Sequence, residues 1–296
     1  LRFAAAMTTR AAPIFFGAAL SLAAAPALAQ AVSAERGEYI FHASGCETCH
    51  TDTAGKGQPL AGGRALKTPF GTFRTPNITP DPTHGIGKWS EADFIRAMRE
   101  GLSPAGAPYY PAFPYTAYTK MTDADIKDLR AYMMTLPASS KPNQPHELSF
   151  PFNIRWGVMA WKWLNFTPGP LPAVGGKDEV WARGRYLTEA LGHCAECHTP
   201  RDRLGGLVKD KWMAGSADGA EGESAPNITP DAATGIGEWS AEDIAFALQL
   251  GMKPDGDSLG GLMAEVVENG TGKLTDADRA AMAAYLKSLP AIAHRP

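Results

Sequence analysis

The stretch Cys46-Glu47-Thr48-Cys49-His50 returns as Cys194-Ala195-Glu196-Cys197-His198, and these two pentapeptides use all 4 cysteines of the chain. C-x-x-C-H is the spacing of c-type haem attachment. Two thiols form thioethers with the haem vinyl groups, and the histidine that follows is then carried beneath the iron as a proximal ligand. A zinc site, a disulfide pair or a thioredoxin-like dithiol also uses paired cysteines. None of these explains a histidine directly after the second cysteine in both copies. The spacing therefore predicts two covalently bound haem c groups, on Cys46 and Cys49 and on Cys194 and Cys197, with His50 and His198 as iron ligands.

The duplication extends outward from these motifs. PNITPD occupies 76–81 and 226–231, and GIGKWS at 85–90 matches GIGEWS at 235–240. TDADIKDLRAYMMTLP at 122–137 matches TDADRAAMAAYLKSLP at 275–290, with eight of sixteen positions identical. The offset between copies grows from 148 at the cysteines to 150 and then 153, as in two homologous domains with small loop insertions. Each copy reads as helices joined by Gly- and Pro-rich loops, with little sustained apolar alternation for strands. Gly37 and Gly184 suit close helix packing beside Tyr39 and Tyr186. Ser90, Ser240, Thr122 and Thr275 each precede an acid by three residues, the pattern of a capped helix start. The domains expected are 30–140 and 180–296, joined by a connector at 141–179 that holds Trp156, Trp161 and Trp163. So aromatic a connector is expected to pack on both domains, with a short helix near 154–164, or else to offer a surface to a partner.

Residues 1–29 combine early basic residues, an apolar run and a small-x-small end at Ala27-Leu28-Ala29, the pattern of a secretory signal peptide. Met7 is a candidate start within it. Without that segment the chain has 26 basic and 31 acidic residues, and 26 − 31 = −5. An acidic chain of this kind is not expected to bind nucleic acid. No later apolar run reaches the roughly 18 residues of a membrane span. The expectation is an exported periplasmic protein, soluble or peripherally associated with the membrane, with no transmembrane anchor in the mature chain.

With a helix leading into C-x-x-C-H, irregular loops and a closing helix containing Ala-Tyr, each copy resembles a class I cytochrome c domain. That resemblance implies an all-α fold of two tandem domains, with a sixth-ligand methionine in a loop before each closing helix. It also implies that Pro76 and Pro226 offer carbonyls to the histidine rings; the alternative is a plain loop corner. Taken with YPAFPY, FPFNIRW and HCAECHTPRDRLGG, the motifs are similar to the cytochrome c subunits of membrane-bound bacterial alcohol and gluconate dehydrogenases and their dihaem relatives. The implied role is electron transfer without catalysis, from a periplasmic flavin, quinone or molybdenum dehydrogenase towards the respiratory chain. Two domains with no C-terminal anchor make a soluble cytochrome or oxidase a readier acceptor than membrane quinone. A dihaem enzyme of the bacterial cytochrome c peroxidase type is the alternative.

For the second domain the expected sixth ligand is Met263. In the first, aligning Gly106 with Gly256 puts Phe113 opposite Met263, and a phenyl ring cannot bind iron. Met121 lies opposite Leu274, in a loop shorter by three residues, and is the expected ligand there. His42, His84, Tyr109, Tyr110, Tyr115, Tyr118 and an open site stay as alternatives, whereas Met98, Met133 and Met134 read as packing residues.

Overall fold

A computed structural model describes residues 31–296, together with Ala4. The segment read as a signal peptide lies, Ala4 apart, outside the described residues. The first half contains α1 (Ala34–Ala43), α2 (Cys46–His50), a hairpin of β1 (Ala65–Thr68) and β2 (Gly71–Arg74), α3 (Glu91–Glu100), α4 (Tyr115–Tyr118) and α5 (Asp123–Met133). Next come β3 (Glu147–Leu148) and α6 (Gly157–Asn165). The second half repeats the helical plan with α7 (Glu179–Tyr186), α8 (Ala195–His198), α9 (Ala241–Leu250), α10 (Gly261–Asn269) and α11 (Asp276–Lys287).

In each half the first and last helices cross at a glycine. A Cβ on Gly37 would sit 1.9 Å from the Asp128 carbonyl oxygen of α5, and one on Gly184 would sit 1.9 Å from that of Ala281 on α11. Only a residue without a side chain allows backbones so close. Beneath this crossing lie Ile40, Phe41, Ile126 and Leu129 in one half and Leu187, Leu191, Met282 and Leu286 in the other, all buried.

The helix starts separate into two kinds. Ser90 and Ser240 cap α3 and α9 with complete capping boxes, Asp93 and Asp243 returning a bond to the cap backbone. Thr122 and Thr275 accept from the Asp125 and Asp278 N–H groups as expected, at 3.1 and 3.2 Å. Their acids do not close the box. Asp125 instead pairs with Arg36 and takes the Tyr186 hydroxyl, while Asp278 pairs with Arg183 and takes the Tyr39 hydroxyl at 2.5 Å. Tyr39 and Tyr186 thus reach across to the opposite half.

The second half has one more residue between its Gly-x-Tyr and its first cysteine than the first half does. The extra residue is absorbed as a single wide turn over Leu187–Leu191, where Gly192 N–H donates to the Leu187 carbonyl at 2.7 Å. One-residue insertions commonly survive in helices as such π-turns.

The structure differs from the all-α expectation in one place, a three-stranded antiparallel sheet in the order β1-β2-β3. Its strands have four, four and two residues, too short for a period-two pattern to register. β3 belongs to the 141–179 segment, which continues over the first half as Phe152 packs on Phe70 with ring centroids 4.7 Å apart. Trp161 then donates its indole N–H to Leu204 in the second half at 2.9 Å, and the Pro172 carbonyl accepts from Arg185 at 2.8 Å. α6 shows a mixed face to each side. Val158, Trp161, Lys162 and Asn165 face inward, whereas Trp156 and Trp163 are 80% and 85% exposed.

Candidate functional site

Each C-x-x-C-H motif is a single helical turn set by the same local bonds. After α2, the His50 carbonyl accepts from Gly62 N–H at 2.8 Å and Thr51 Oγ1 from Leu60 N–H at 3.1 Å. After α8, the His198 carbonyl accepts from Gly215 N–H at 2.7 Å and Thr199 Oγ1 from Met213 N–H at 2.9 Å. Met213 therefore occupies the packing position of Leu60, and both have left-handed backbone.

The histidine rings are oriented by the PNITPD loops. His50 Nδ1 is 2.8 Å from the Pro76 carbonyl oxygen, and His198 Nδ1 is 2.7 Å from that of Pro226. A carbonyl only accepts, so Nδ1 carries the proton and the lone pair lies on Nε2, the arrangement usual for a metal-bound histidine. Burial lowers both pKa values, with the proline bonds partly opposing it, so each imidazole is held neutral. The prolines are fixed in turn. Asn77 Oδ1 accepts from Thr79 N–H and Oγ1 at 2.9 and 2.7 Å, and Asn227 does the same with Thr229 at 2.9 and 2.8 Å. GIG closes the loop because a Cβ on Gly85 or Gly235 would lie 2.0 or 2.2 Å from the Thr79 or Thr229 carbonyl oxygen.

No disulfide joins any of the four cysteines. Burial pushes Cys46 up to about 12, Cys49 up to about 11 and Cys194 up to about 12, with Cys197 also raised. A dithiol redox centre needs a thiol lowered towards neutrality. Two cysteines one turn apart and in no disulfide, each pair followed by a neutral histidine with Nε2 available, fit covalent haem.

The expected sixth ligands lie in unlike places. Met263 is half-buried on α10, a nine-residue helix rather than an open loop. Phe113, its counterpart, lies among the rings of Tyr109, Tyr115 and Tyr118, just before the single turn of α4. Met121 follows that turn, 1% exposed, and its carbonyl accepts from Arg99 of α3 at 2.8 Å. Several alternatives are engaged elsewhere. Tyr118 donates to the Ser44 carbonyl at 2.7 Å. His42 Nδ1 donates to the Asn269 carbonyl of α10 at 3.1 Å, which ties the ring to the second half and leaves its Nε2 free of that bond. Tyr110 packs on His146 and Arg155, and His84 lies 3.7 Å from Asp81. Tyr109 is pushed up to about 12 by burial, and Tyr115 is raised by burial and by Glu196, so both stay protonated. Met98 and Met133 are buried core residues.

The motif alone could not reveal how near the two sites are. His193, the residue before Cys194, has φ 38° where the first half has Gly45 at φ 61°. Its Nε2 lies 4.0 Å from where a Cβ on Gly45 would be, and its ring packs edge-on against Tyr118 at 5.5 Å. The two attachment loops abut.

The cytochrome c family profile matches residues 34–137 and 181–290, one region around each motif. The chain belongs to the cytochrome c family. Membership implies covalently bound haem c and electron transfer. Among relatives, a "Diheme cytochrome c-type" of Cereibacter sphaeroides is 49% identical over 262 residues, covering 88% of this chain and 86% of the relative. The fructose dehydrogenase cytochrome subunit of Gluconobacter japonicus is 42% identical over 90% of this chain and 54% of its own length. The cytochrome c subunit of alcohol dehydrogenase (quinone) from Gluconobacter oxydans is 40% identical over 94% of this chain and 58% of its own. This chain thus spans little more than half of these dehydrogenase subunits. The dihaem peroxidase alternative finds no support among these relatives.

Proposed function

We propose that the protein is a periplasmic dihaem cytochrome c that accepts electrons from a dehydrogenase and passes them towards the respiratory chain. The observation that carries this reading is the duplicated site, two C-x-x-C-H turns free of disulfides whose histidines each donate Nδ1–H to a proline carbonyl. Haem, when bound, supplies reversible one-electron chemistry at iron. Cys46, Cys49, Cys194 and Cys197 hold the two groups, and His50 and His198 present Nε2 to the metal. The proline bonds fix ring direction and strengthen the donor nitrogen. Met121 and Met263 are the sixth ligands, thioethers that favour reduced iron and raise its potential. The abutting attachment loops support transfer within the molecule, one half taking electrons in and the other handing them on.

The donor proposed is a flavin, quinone or molybdenum dehydrogenase, in keeping with the dehydrogenase subunits among the relatives. The acceptor is a soluble cytochrome, an oxidase or a quinone. Periplasmic location rests on the composition of residues 1–29, and no helix among the described residues is long and apolar enough to cross a membrane.

Haem content and EPR of the matured protein, beside Met121→Leu and Met263→Leu variants, test the reading. Two low-spin haems per chain are expected, and each variant should convert one of them to high spin or to a new ligand set. A Met121→Leu protein with an unaltered first-haem signal would remove Met121 from the ligand set. A high-spin haem in the wild type that turns over hydrogen peroxide would overturn the carrier reading.

A further inference from the structure

Arg64, just before β1, joins the first attachment motif to the helix that bears Met263. It is 8% exposed, and its ionic partners, Glu221 and Glu265, both belong to the second half. Nη1 donates to the Thr48 carbonyl at 2.7 Å, between Cys46 and Cys49. Nε donates to Glu221 at 2.8 Å. The fork of the guanidinium grips Glu265, with Nη2 3.2 Å from Oε1 and Nη1 bonded to Oε2.

Glu265 lies two residues beyond Met263 on α10. Residues two apart point about 200° from one another around a helix. Pinning Glu265 on one side therefore fixes the rotation of α10 and the direction taken by Met263 on the other. A bidentate arginine–carboxylate pair constrains orientation as well as distance, which a lysine point charge does not. The two ends of α10 are also tied. Leu262 N–H donates to Glu223 at 2.9 Å, and the Asn269 carbonyl accepts from His42 of α1 at 3.1 Å. Two of these three anchors, Arg64 and His42, come from the opposite domain.

We infer that Arg64 is a positioning residue for the sixth ligand of the second haem, tying the first attachment loop to the helix that bears that ligand. The inference rests on the reading of Met263 as a ligand. With the clamp intact, α10 holds the thioether in place against competing ligands. With the clamp cut, the helix turns more freely and the sixth position opens to a small molecule. An opening equilibrium raised tenfold raises the apparent affinity of an exogenous ligand by the same factor while the open state stays minor.

Imidazole binding to the oxidised dihaem protein reads this directly, with the two haems resolved by EPR and the long-wavelength sulfur-to-iron band recorded alongside. Glu265→Gln keeps the size of the side chain and removes the charge; Arg64→Lys keeps the charge and removes the fork. Both should raise imidazole affinity at the second haem about tenfold. Glu265→Gln should leave the first haem within about twofold, since its Thr48 contact survives. Met263→Leu separates the possible failures. If it abolishes the second haem's sulfur band while both clamp variants bind imidazole like wild type, the clamp is overturned and the ligand reading stands. If Met263→Leu leaves that band unchanged, the ligand reading fails and the clamp falls with it.

Discussion

Asn227 shows how much of a haem site one amide can hold. Its Oδ1 accepts from both polar hydrogens of Thr229, and its Nδ2 donates to Thr234 Oγ1 at 3.0 Å and to the Ile292 carbonyl at 2.7 Å. The amide is buried, so deleting it leaves these partners without water to replace it. Asn227→Ala is expected to destabilise the haem-loaded protein by about 3 kcal/mol, measured by guanidinium unfolding. Loosening of the Pro226 carbonyl should accompany the loss, seen as a changed EPR signature at the second haem alone. Asn227→Asp keeps the acceptor oxygen but sets a buried carboxylate oxygen, with no proton to give, against the Ile292 carbonyl, and should cost at least as much. The sequence makes the repeated PNITPD conspicuous, and the proline-to-histidine bond was expected from the resemblance. The work of the asparagine was not legible, because its donors meet the Ser139 and Lys141 carbonyls in one copy and Ile292 in the other, far along the chain.

Among the elements, the closing helices matter most for the joint between halves. A capping acid normally serves its own helix, yet Asp125 and Asp278 each serve an arginine of their own half and a tyrosine of the other. Burial by itself would raise the Asp278 pKa, but the Arg183 and Tyr39 bonds outweigh it and hold the carboxyl below its ordinary value. A carboxyl depressed in the folded state contributes stability that is complete above its unfolded pKa, and that stability is lost as pH falls through the folded one. The contribution of Asp278 should therefore be full above about pH 5 and fade below about pH 4. The urea stability gap between wild type and Asp278→Asn should shrink over that range. A gap of constant size would show that the carboxyl is not depressed. The π-turn at Leu187–Leu191 is a quieter case of element-level information. The spacing of Gly184, Tyr186 and Cys194 already contained the extra residue, but only the packing of α7 on α11 forces it into a wide turn rather than a longer loop.

At the scale of the molecule, the sequence separates two domains more sharply than the structure does. Repeats, motifs and their offsets were legible because each is local, and they marked the two C-x-x-C-H turns as corresponding positions of the two halves. The contacts across the joint were not, since Tyr39 meets Asp278, Tyr186 meets Asp125 and Arg64 meets Glu265 at sequence separations no pattern reports. The two tyrosine bonds follow a pseudo-twofold exchange, each first helix packing on its own closing helix while its tyrosine reaches the other half's. Residues 32–296 accordingly form one compact unit. A joint made of buried, mutually dependent polar groups couples the halves more tightly than a flexible linker does, because breaking it takes a hydrogen bond from a carboxylate in each half at once, from Asp125 and from Asp278. The haem-loaded protein is therefore expected to unfold in guanidinium as a single transition, with helical ellipticity, tryptophan emission and the Soret band changing together. A combined Tyr39→Phe and Tyr186→Phe variant removes both crossing hydroxyls and leaves each half's own ion pair in place. In that variant the midpoints should fall and the transitions of the two halves should separate. Two resolved transitions already present in the wild type would mean that the halves fold independently and that the joint contributes little.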